Sequence, residues 1–160
     1  MQTVELHREG IAYELDPPAA GTLRWTSSDS SVVFVTEDGI AYALRDGEAV
    51  LTAVDPAGNA YQLRAVSEIV PWEKLGDGNQ DGSVDSKDAM LVLQEYAARI
   101  VLEEDYSIDR DRMLLCDVNE DGEIDSVDAT YLLNFFARFS LLEVSDDPMV
   151  VWLDLFSDFS

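Results

Sequence analysis

Two copies of one acidic segment constrain the fold of this chain more than any other feature. The first copy begins at Asp77 and the second at Asp117, 40 residues later. In each copy, oxygen-bearing side chains occupy positions 1, 3, 5, 9 and 12, with Gly at position 6 and an apolar residue at position 8. A hard cation that takes six to eight oxygen ligands at roughly 2.3–2.6 Å requires a segment that coils around it and turns alternate side chains inward. The two segments therefore predict two Ca²⁺-binding loops.

The spacing is that of an EF-hand loop, except that Asp replaces the usual Glu at position 12. Positions 1, 3, 5 and 12 are expected to bind the ion through side chains, position 7 through its carbonyl and position 9 through water. The apolar residues at position 8, Val84 and Ile124, are expected to pair as a short strand between the loops. The predicted ligands are Asp77, Asn79, Asp81, Ser83, Asp85 and Asp88 in the first loop, and Asp117, Asn119, Asp121, Glu123, Asp125 and Asp128 in the second.

Composition excludes several classes of function. The chain carries 33 acidic and 10 basic residues, a formal net charge of −23 at pH 7. This charge disfavours nucleic acid and anionic membrane surfaces as partners, because both are negatively charged. One cysteine, Cys116, and one histidine, His7, exclude an intrachain disulfide and a Cys/His zinc cluster. Cys116 follows two leucines and is expected to be a small buried hydrophobe.

The pattern of the chain changes near residues 70–76. Before this point, short alternating apolar runs are separated by turn residues, which predicts a small β-sandwich. After it, helical periods alternate with the acidic loops. We therefore expect two domains, residues 1–70 and 71–145, and a C-terminal tail, residues 146–160. The predicted strands are residues 4–6, 11–15, 21–27, 32–36, 40–43, 48–54 and 60–66.

The first half contains two motifs in its predicted strands. Trp25 begins a Trp-x-Ser-Ser pattern that leads into the apolar run 32–35, and residues 47–53 read Gly-Glu-Ala-Val-Leu-Thr-Ala. With these motifs, the first half resembles a bacterial immunoglobulin-like domain of the group 2 type. The resemblance covers roughly residues 1–68. A different interpretation makes Trp25 and Tyr42 a carbohydrate platform, although a Trp in the core and a Tyr on a strand are commoner.

Each acidic loop leads directly into a segment of helical period. Residues 86–99 and 126–139 both place apolar residues at i, i+3, i+4 and i+7, on one helical face. Upstream of the first loop, Pro71 and Gly76 leave no room for a helix. Upstream of the second loop, residues 108–116 are expected to form a short helix. A regular EF-hand has a helix on both sides of its loop, so the first repeat is half of that unit.

This duplicated loop-then-helix unit resembles a dockerin over about residues 75–142. The resemblance implies a module that holds two Ca²⁺ and binds a cohesin domain of a scaffold or cell-surface protein, in an extracellular, secreted bacterial complex of cellulosome type. An immunoglobulin-like or X module ahead of a dockerin is a familiar pairing. The contact residues that the resemblance implies are Ser86, Lys87, Met90 and Gln94 in the first repeat, and Ser126, Val127, Thr130, Asn134 and Arg138 in the second.

The two implied contact faces differ, since Lys87 corresponds to Val127 and Met90 to Thr130. Interchangeable docking by a half-turn is therefore disfavoured, and we expect one binding orientation.

The tail has the pattern of a short amphipathic helix. Asp147 before Pro148 marks a helix start, and Val151, Leu155 and Phe159 share one stripe. Two interpretations remain open. The tail packs back on the dockerin-like region or near Trp72, or it presents an exposed patch to a partner.

Other functions fit the sequence less well. An intracellular Ca²⁺ sensor or buffer of EF-hand type needs entering helices and a Met-rich groove, but the chain has only four Met. A glycosidase needs a pair of catalytic carboxylates, and the repeated Asp residues are already assigned to Ca²⁺. A carbohydrate-binding β-sandwich appended to an enzyme is a further alternative. No signal peptide or membrane span is visible, so we expect the chain to be either cytosolic or a segment of a larger secreted protein. The sequence predicts a non-catalytic assembly module.

Overall fold

The computed structural model describes residues 1–16, 21–141 and 145–159. The chain divides into two compact units, Met1–Ile69 and Val70–Ser160. The first unit is built from strands and the second from helices, as the sequence predicts. None of the helices in the described ranges is long and apolar enough to cross a membrane.

The first unit consists of two β-sheets. The larger sheet has the order β1-β7-β6-β3, with β1 parallel to β7 and the other pairs antiparallel. The smaller sheet is antiparallel and has the order β2-β5-β4. The strands are β1 Gln2–Leu6, β2 Tyr13–Glu14, β3 Arg24–Ser27, β4 Val33–Val35, β5 Ile40–Ala43, β6 Gly47–Val54 and β7 Ala60–Ser67.

Side chains from both sheets meet in one apolar core. Along β6 every second residue is buried, so that Leu51 and its neighbours two positions away point inward. Along β4, Val33 and Val35 are buried while Phe34 points outward. This alternation is the period-2 pattern of a strand with one buried face. The predicted sandwich is confirmed.

Trp25 belongs to this core and is only 7% exposed. Its indole fixes the turn before β5, because a Cβ on Gly39 would lie 2.8 Å from the Trp25 Nε1 atom. Gly39 also has a φ of +82°, which L side chains rarely adopt. A carbohydrate platform made of Trp25 and Tyr42 is therefore not formed, since Trp25 faces the core.

The second unit contains four α-helices and one π-helical segment in its described residues. These are α1 Ser86–Val101, α2 Arg110–Cys116, α3 Ser126–Phe136, the π-helical segment Ala137–Leu141, and α4 Pro148–Phe159. Residues 70–85 form turns and no helix, as predicted. Helix α2 begins at Arg110 because the side chain of Asp109 caps it by accepting from the Arg112 amide at 2.9 Å.

Helix α4 packs on α3 within this unit. Trp152 is fully buried and stacks on Phe135 with ring centroids 4.2 Å apart. Phe156 lies 6.5 Å from Trp72 and 5.4 Å from Tyr131, centroid to centroid. Of the two interpretations of the tail, these contacts favour packing within the second unit near Trp72.

Candidate calcium loops and docking faces

The first acidic loop is coiled by hydrogen bonds from backbone amides to its side-chain oxygens. The Asp77 carboxylate accepts from the amides of Asp81 and Gly82, both at 3.0 Å. The Asn79 side-chain oxygen accepts from the Asp81 amide at 2.8 Å, and Asp81 accepts from the Ser83 amide at 3.1 Å. These contacts turn the oxygens of positions 1, 3 and 5 toward the inside of the coil.

The second loop repeats this network. Asp117 accepts from the amides of Asp121 and Gly122 at 3.2 and 2.9 Å. Asn119 accepts from the Asp121 amide at 3.1 Å, and Asp121 accepts from the Glu123 amide at 2.9 Å. The sequence repeat is therefore also a repeat of hydrogen-bond partners.

The backbone of the two loops follows the same unusual course. Position 4 has a positive φ in both loops, +60° at Gln80 and +59° at Glu120. Position 6 also has a positive φ, +90° at Gly82 and +86° at Gly122. Two left-handed residues separated by one position bend the chain sharply, and only Gly adopts this conformation without strain. Sequence reasoning identified the glycines but gave no signal for the strained residue at position 4.

The carboxylates at position 12 are completely buried and close each loop. Asp88 accepts from the amides of Asn79 and Asp85 at 3.1 and 2.9 Å, one on each oxygen. Asp128 accepts from the Asp125 amide at 3.0 Å and has the same role. Burial raises the pKa of the Asp88 carboxyl, and burial raises the pKa of the Asp128 carboxyl to about 7. Each loop thus holds a carboxylate whose charge is disfavoured by its surroundings unless a cation compensates it.

The donor set of the loops fits a hard cation. It consists only of carboxylate, amide and carbonyl oxygens, which suit Ca²⁺, and it contains neither His nor Cys, which Zn²⁺ prefers. Among the described residues, no three His, Cys, Asp or Glu side chains converge on one point. An EF-type shell also depends on an Asn side-chain oxygen, a backbone carbonyl and water, so it does not consist of the side chains of those four residue types alone.

Position 9 has a second role that sequence reasoning missed. Asp85 is the N-cap of α1 and accepts from the Lys87 amide at 2.7 Å, and Asp125 is the N-cap of α3 and accepts from the Val127 amide at 2.6 Å. In both repeats the position-12 Asp completes a capping box. The signal was present in the sequence as Asp-x-x-Asp ahead of an apolar period, a variant of the capping-box pattern.

The loops are joined through α2 rather than by a strand. The Gly76 amide donates to the Leu115 carbonyl at 2.9 Å, and Arg112 Nε donates to the Gly78 carbonyl at 2.7 Å. The Cys116 thiol packs against Gly78 and is fully buried. Burial raises the pKa of Cys116 to about 12, as fits a packing role rather than a reactive one.

The predicted strand pairing of Val84 with Ile124 is wrong. The Ile124 amide donates to the Tyr106 hydroxyl at 3.0 Å, and this hydroxyl donates to Glu123 at 3.2 Å. The connecting segment between the repeats therefore supplies the partner that a paired loop would otherwise supply. Tyr106 is held in place by Arg99, whose guanidinium lies 4.9 Å from the centre of its ring.

The implied contact residues of the first repeat form one exposed row. Ser86, Lys87, Met90 and Gln94 are all exposed along α1. Lys87 also lies 3.4 Å from Asp81 and 3.5 Å from Asp85, nitrogen to oxygen.

The implied contact residues of the second repeat are only partly available. Ser126, Val127 and Thr130 are exposed, but Asn134 is half-buried. Arg138 forms ion pairs with Asp154 at 2.5 Å and with Asp158 at 2.7 Å. Because both acidic partners belong to α4, the guanidinium of Arg138 faces the tail.

Comparison with known protein families agrees with this geometry. Residues 75–137 match the family model of the dockerin type I domain. Among solved structures, the chain is similar to a GH10 xylanase from termite gut that contains a bacterial Ig-like domain. The identity is 25%, the TM-score is 0.35, and the match covers 49% of this chain and 22% of the xylanase. No curated protein matches the chain. Residues 75–137 of this chain therefore form a dockerin type I domain, a non-catalytic module that follows a two-sheet β unit.

Proposed function

We propose that this chain is a calcium-dependent assembly module that docks on a cohesin domain of a scaffold or cell-surface protein in an extracellular, cellulosome-type complex. The observation that carries the proposal is the repeated unit itself. In both repeats an oxygen-lined loop of the same backbone course ends at the N-cap of a helix with an exposed row of side chains. The loop and the row are therefore parts of one structural unit, and an ion in the loop fixes the start of the helix.

The proposal assigns two Ca²⁺ to this domain, one for each loop. The ligands are those that the spacing predicts, from Asp77 to Asp88 and from Asp117 to Asp128. The bound ion supplies positive charge to a loop whose own carboxylates repel one another. For residues 1–70 we propose an immunoglobulin-like module that accompanies the dockerin.

A Ca²⁺ sensor is not favoured by the structure. Sensors of EF-hand type respond to the ion by opening a pair of helices on either side of the loop. Residues 70–85 contain no helix, so the first loop lacks one member of such a pair. The apolar side of α3 is also covered, because α4 packs against Phe135 and Tyr131.

The experiment is a calorimetric titration of the full chain against a panel of cohesin domains, in Ca²⁺ and in EDTA. We expect at least one cohesin to bind in Ca²⁺ and to lose binding in EDTA. The variants Asp81→Ala and Asp121→Ala remove one predicted ligand from each loop and should weaken binding. Asp146→Ala is the matched control, since it removes an exposed acid outside both loops. Absence of binding to every cohesin in Ca²⁺, or binding that EDTA leaves unchanged, contradicts the proposal.

A further inference from the structure

One exposed side of helix α1 is apolar from Met90 to Val101. Met90 is 60% exposed, Leu93 43%, Ile100 61% and Val101 74%. Together with Ala97 these residues recur at helical spacing and lie on one side of the helix. We call this set, residues 90, 93, 97, 100 and 101, the α1 face. It extends two turns beyond the contact residues that the dockerin resemblance implies.

The α1 face carries no carboxylate, in a chain with 33 acidic residues. Helix α1 contains only two acids, and both are buried. Asp88 closes the first loop, and Glu95 accepts from the Ser107 amide at 2.7 Å. The only charged side chain bordering the face along the helix is Lys87. A continuous apolar surface of this kind on a highly charged protein marks a contact surface.

The equivalent face of α3 has a different character. Thr130 replaces Met90, and its hydroxyl donates to the Ser126 carbonyl at 2.8 Å. Asn134 donates to the Thr130 carbonyl at 2.8 Å. Beyond Phe136 the chain changes to π-helical geometry, so the last turns do not continue the row.

The basic residue of the α3 face, Arg138, already forms ion pairs within the second unit. Arg138, the last contact residue that the resemblance implies, pairs with two acids of α4. Removing it from this arrangement would leave Asp154 and Asp158 without their cation. The α3 face is therefore more polar than the α1 face, and the positive charge of Arg138 is compensated by acids of the same unit.

We propose that the cohesin docks on the α1 face, in a single orientation, with Ile100 and Val101 in the contact and Arg138 outside it. This inference rests on the proposed function and names the surface that carries it. The charges at the two ends of the face fix the orientation. Lys87 lies at one end, and the exposed acids Glu103 and Glu104 lie just beyond the other.

The chemistry of the partner surface follows from these ends. It presents an apolar strip to the helix, an acceptor for Lys87, and basic groups opposite residues 103–105. A second copy of this chain is the competing occupant, because two α1 faces in antiparallel contact would also pair Lys87 with Glu103. The net charge of −23 opposes such self-association.

The internal repeat provides matched variants for the test. Leu93 and Leu133 occupy equivalent positions and are 43% and 45% exposed, and Val101 and Leu141 are equivalent and are 74% and 66% exposed. The four variants are Leu93→Glu, Val101→Glu, Leu133→Glu and Leu141→Glu. Each is titrated with a cohesin that binds the unmodified chain in Ca²⁺. The helical circular dichroism of each variant in Ca²⁺ verifies that it is folded.

We expect Leu93→Glu and Val101→Glu to weaken binding at least tenfold, and Leu133→Glu and Leu141→Glu to change it less than threefold. The opposite order, or equal losses in both repeats, overturns the inference while leaving the proposed function intact. Absence of binding by the unmodified chain to every cohesin refutes the proposed function itself. Sedimentation equilibrium tests the competing occupant, since a dimer that Val101→Glu dissociates would make a second copy the partner and overturn the proposal.

Discussion

Replacing Trp152 by Ala tests whether α4 stabilises the second unit or serves a partner. Trp152 is completely buried, with an exposed fraction of 0%, and its ring stacks on Phe135. Burying an aromatic side chain removes about 150–250 Å² from water. At about 25 cal/mol per Å² this contributes about 4–6 kcal/mol, and residual burial in the unfolded chain lowers it by about 10–40%.

The ring stack adds about 0.5–1.5 kcal/mol. We therefore expect Trp152→Ala to lower the free energy of unfolding of the second unit by about 4 kcal/mol, within the range of about 3–5 kcal/mol measured for such truncations. This is a large share of the roughly 5–15 kcal/mol of a typical domain.

The assay is urea denaturation in saturating Ca²⁺, followed by circular dichroism at the helical minimum. That signal reports the second unit, because the described residues of the first unit contain no helix. Val150→Ala is the matched control, since Val150 lies on the same helix but is 51% exposed. It should change stability by less than about 0.5 kcal/mol. A loss below about 1 kcal/mol for Trp152→Ala, or a loss of cohesin affinity at unchanged stability, would refute the packing role of α4.

Three further predictions concern the metal, the thiol and the first unit. Addition of EDTA should abolish the helical circular dichroism, because the ion compensates the buried carboxylates of the second unit. The thermal transition of the β unit should remain, since its residues are not predicted to bind the ion. An unchanged helical signal would contradict this prediction. Cys116 should resist Ellman's reagent at pH 8 in Ca²⁺, because a thiol with a pKa of about 12 forms little thiolate there, and it should react once EDTA has been added; fast labelling in Ca²⁺ would contradict the burial. Gly39→Ala should lower the stability of the first unit by about 2 kcal/mol, from backbone strain and the approach to Trp25. Its control is Gly58→Ala, which has a similar φ of +89° but no atom within 4 Å of the added methyl, so calorimetry should show a smaller loss, from strain alone.

Periodicity and spacing predicted the parts of this fold that depend on local contacts. Both acidic loops, the helices that follow them and the absence of a helix before the first loop could be read from the sequence, because ligand spacing and helical period are local patterns. The strands of the first unit were found for the same reason, although β2 is only two residues long where five were predicted.

The capping boxes were missed although their signal is local, whereas other missed features depend on distant contacts. The helical period of residues 126–139 gave no sign that α3 ends at Phe136 and that a π-helical segment follows, whose Arg138 contacts helix α4. The pairing of Arg138 with α4 and the bond from Ile124 to Tyr106 likewise join residues that are 16 to 20 positions apart. No local pattern encodes such partners.

The double use of positions 9 and 12 explains why an ion in the loop should control a docking face on a helix. Asp85 caps α1, and Asp88 both completes the capping box and closes the loop. An N-cap contributes about 0.5–2 kcal/mol, and most of the stability of a helix in a protein comes from its packing rather than from its own propensity. When the loop opens, the cap and the packing against it are lost together. The α1 face then loses the helix that holds its side chains in one row, so the same two carboxylates link the occupancy of the loop to the contact surface.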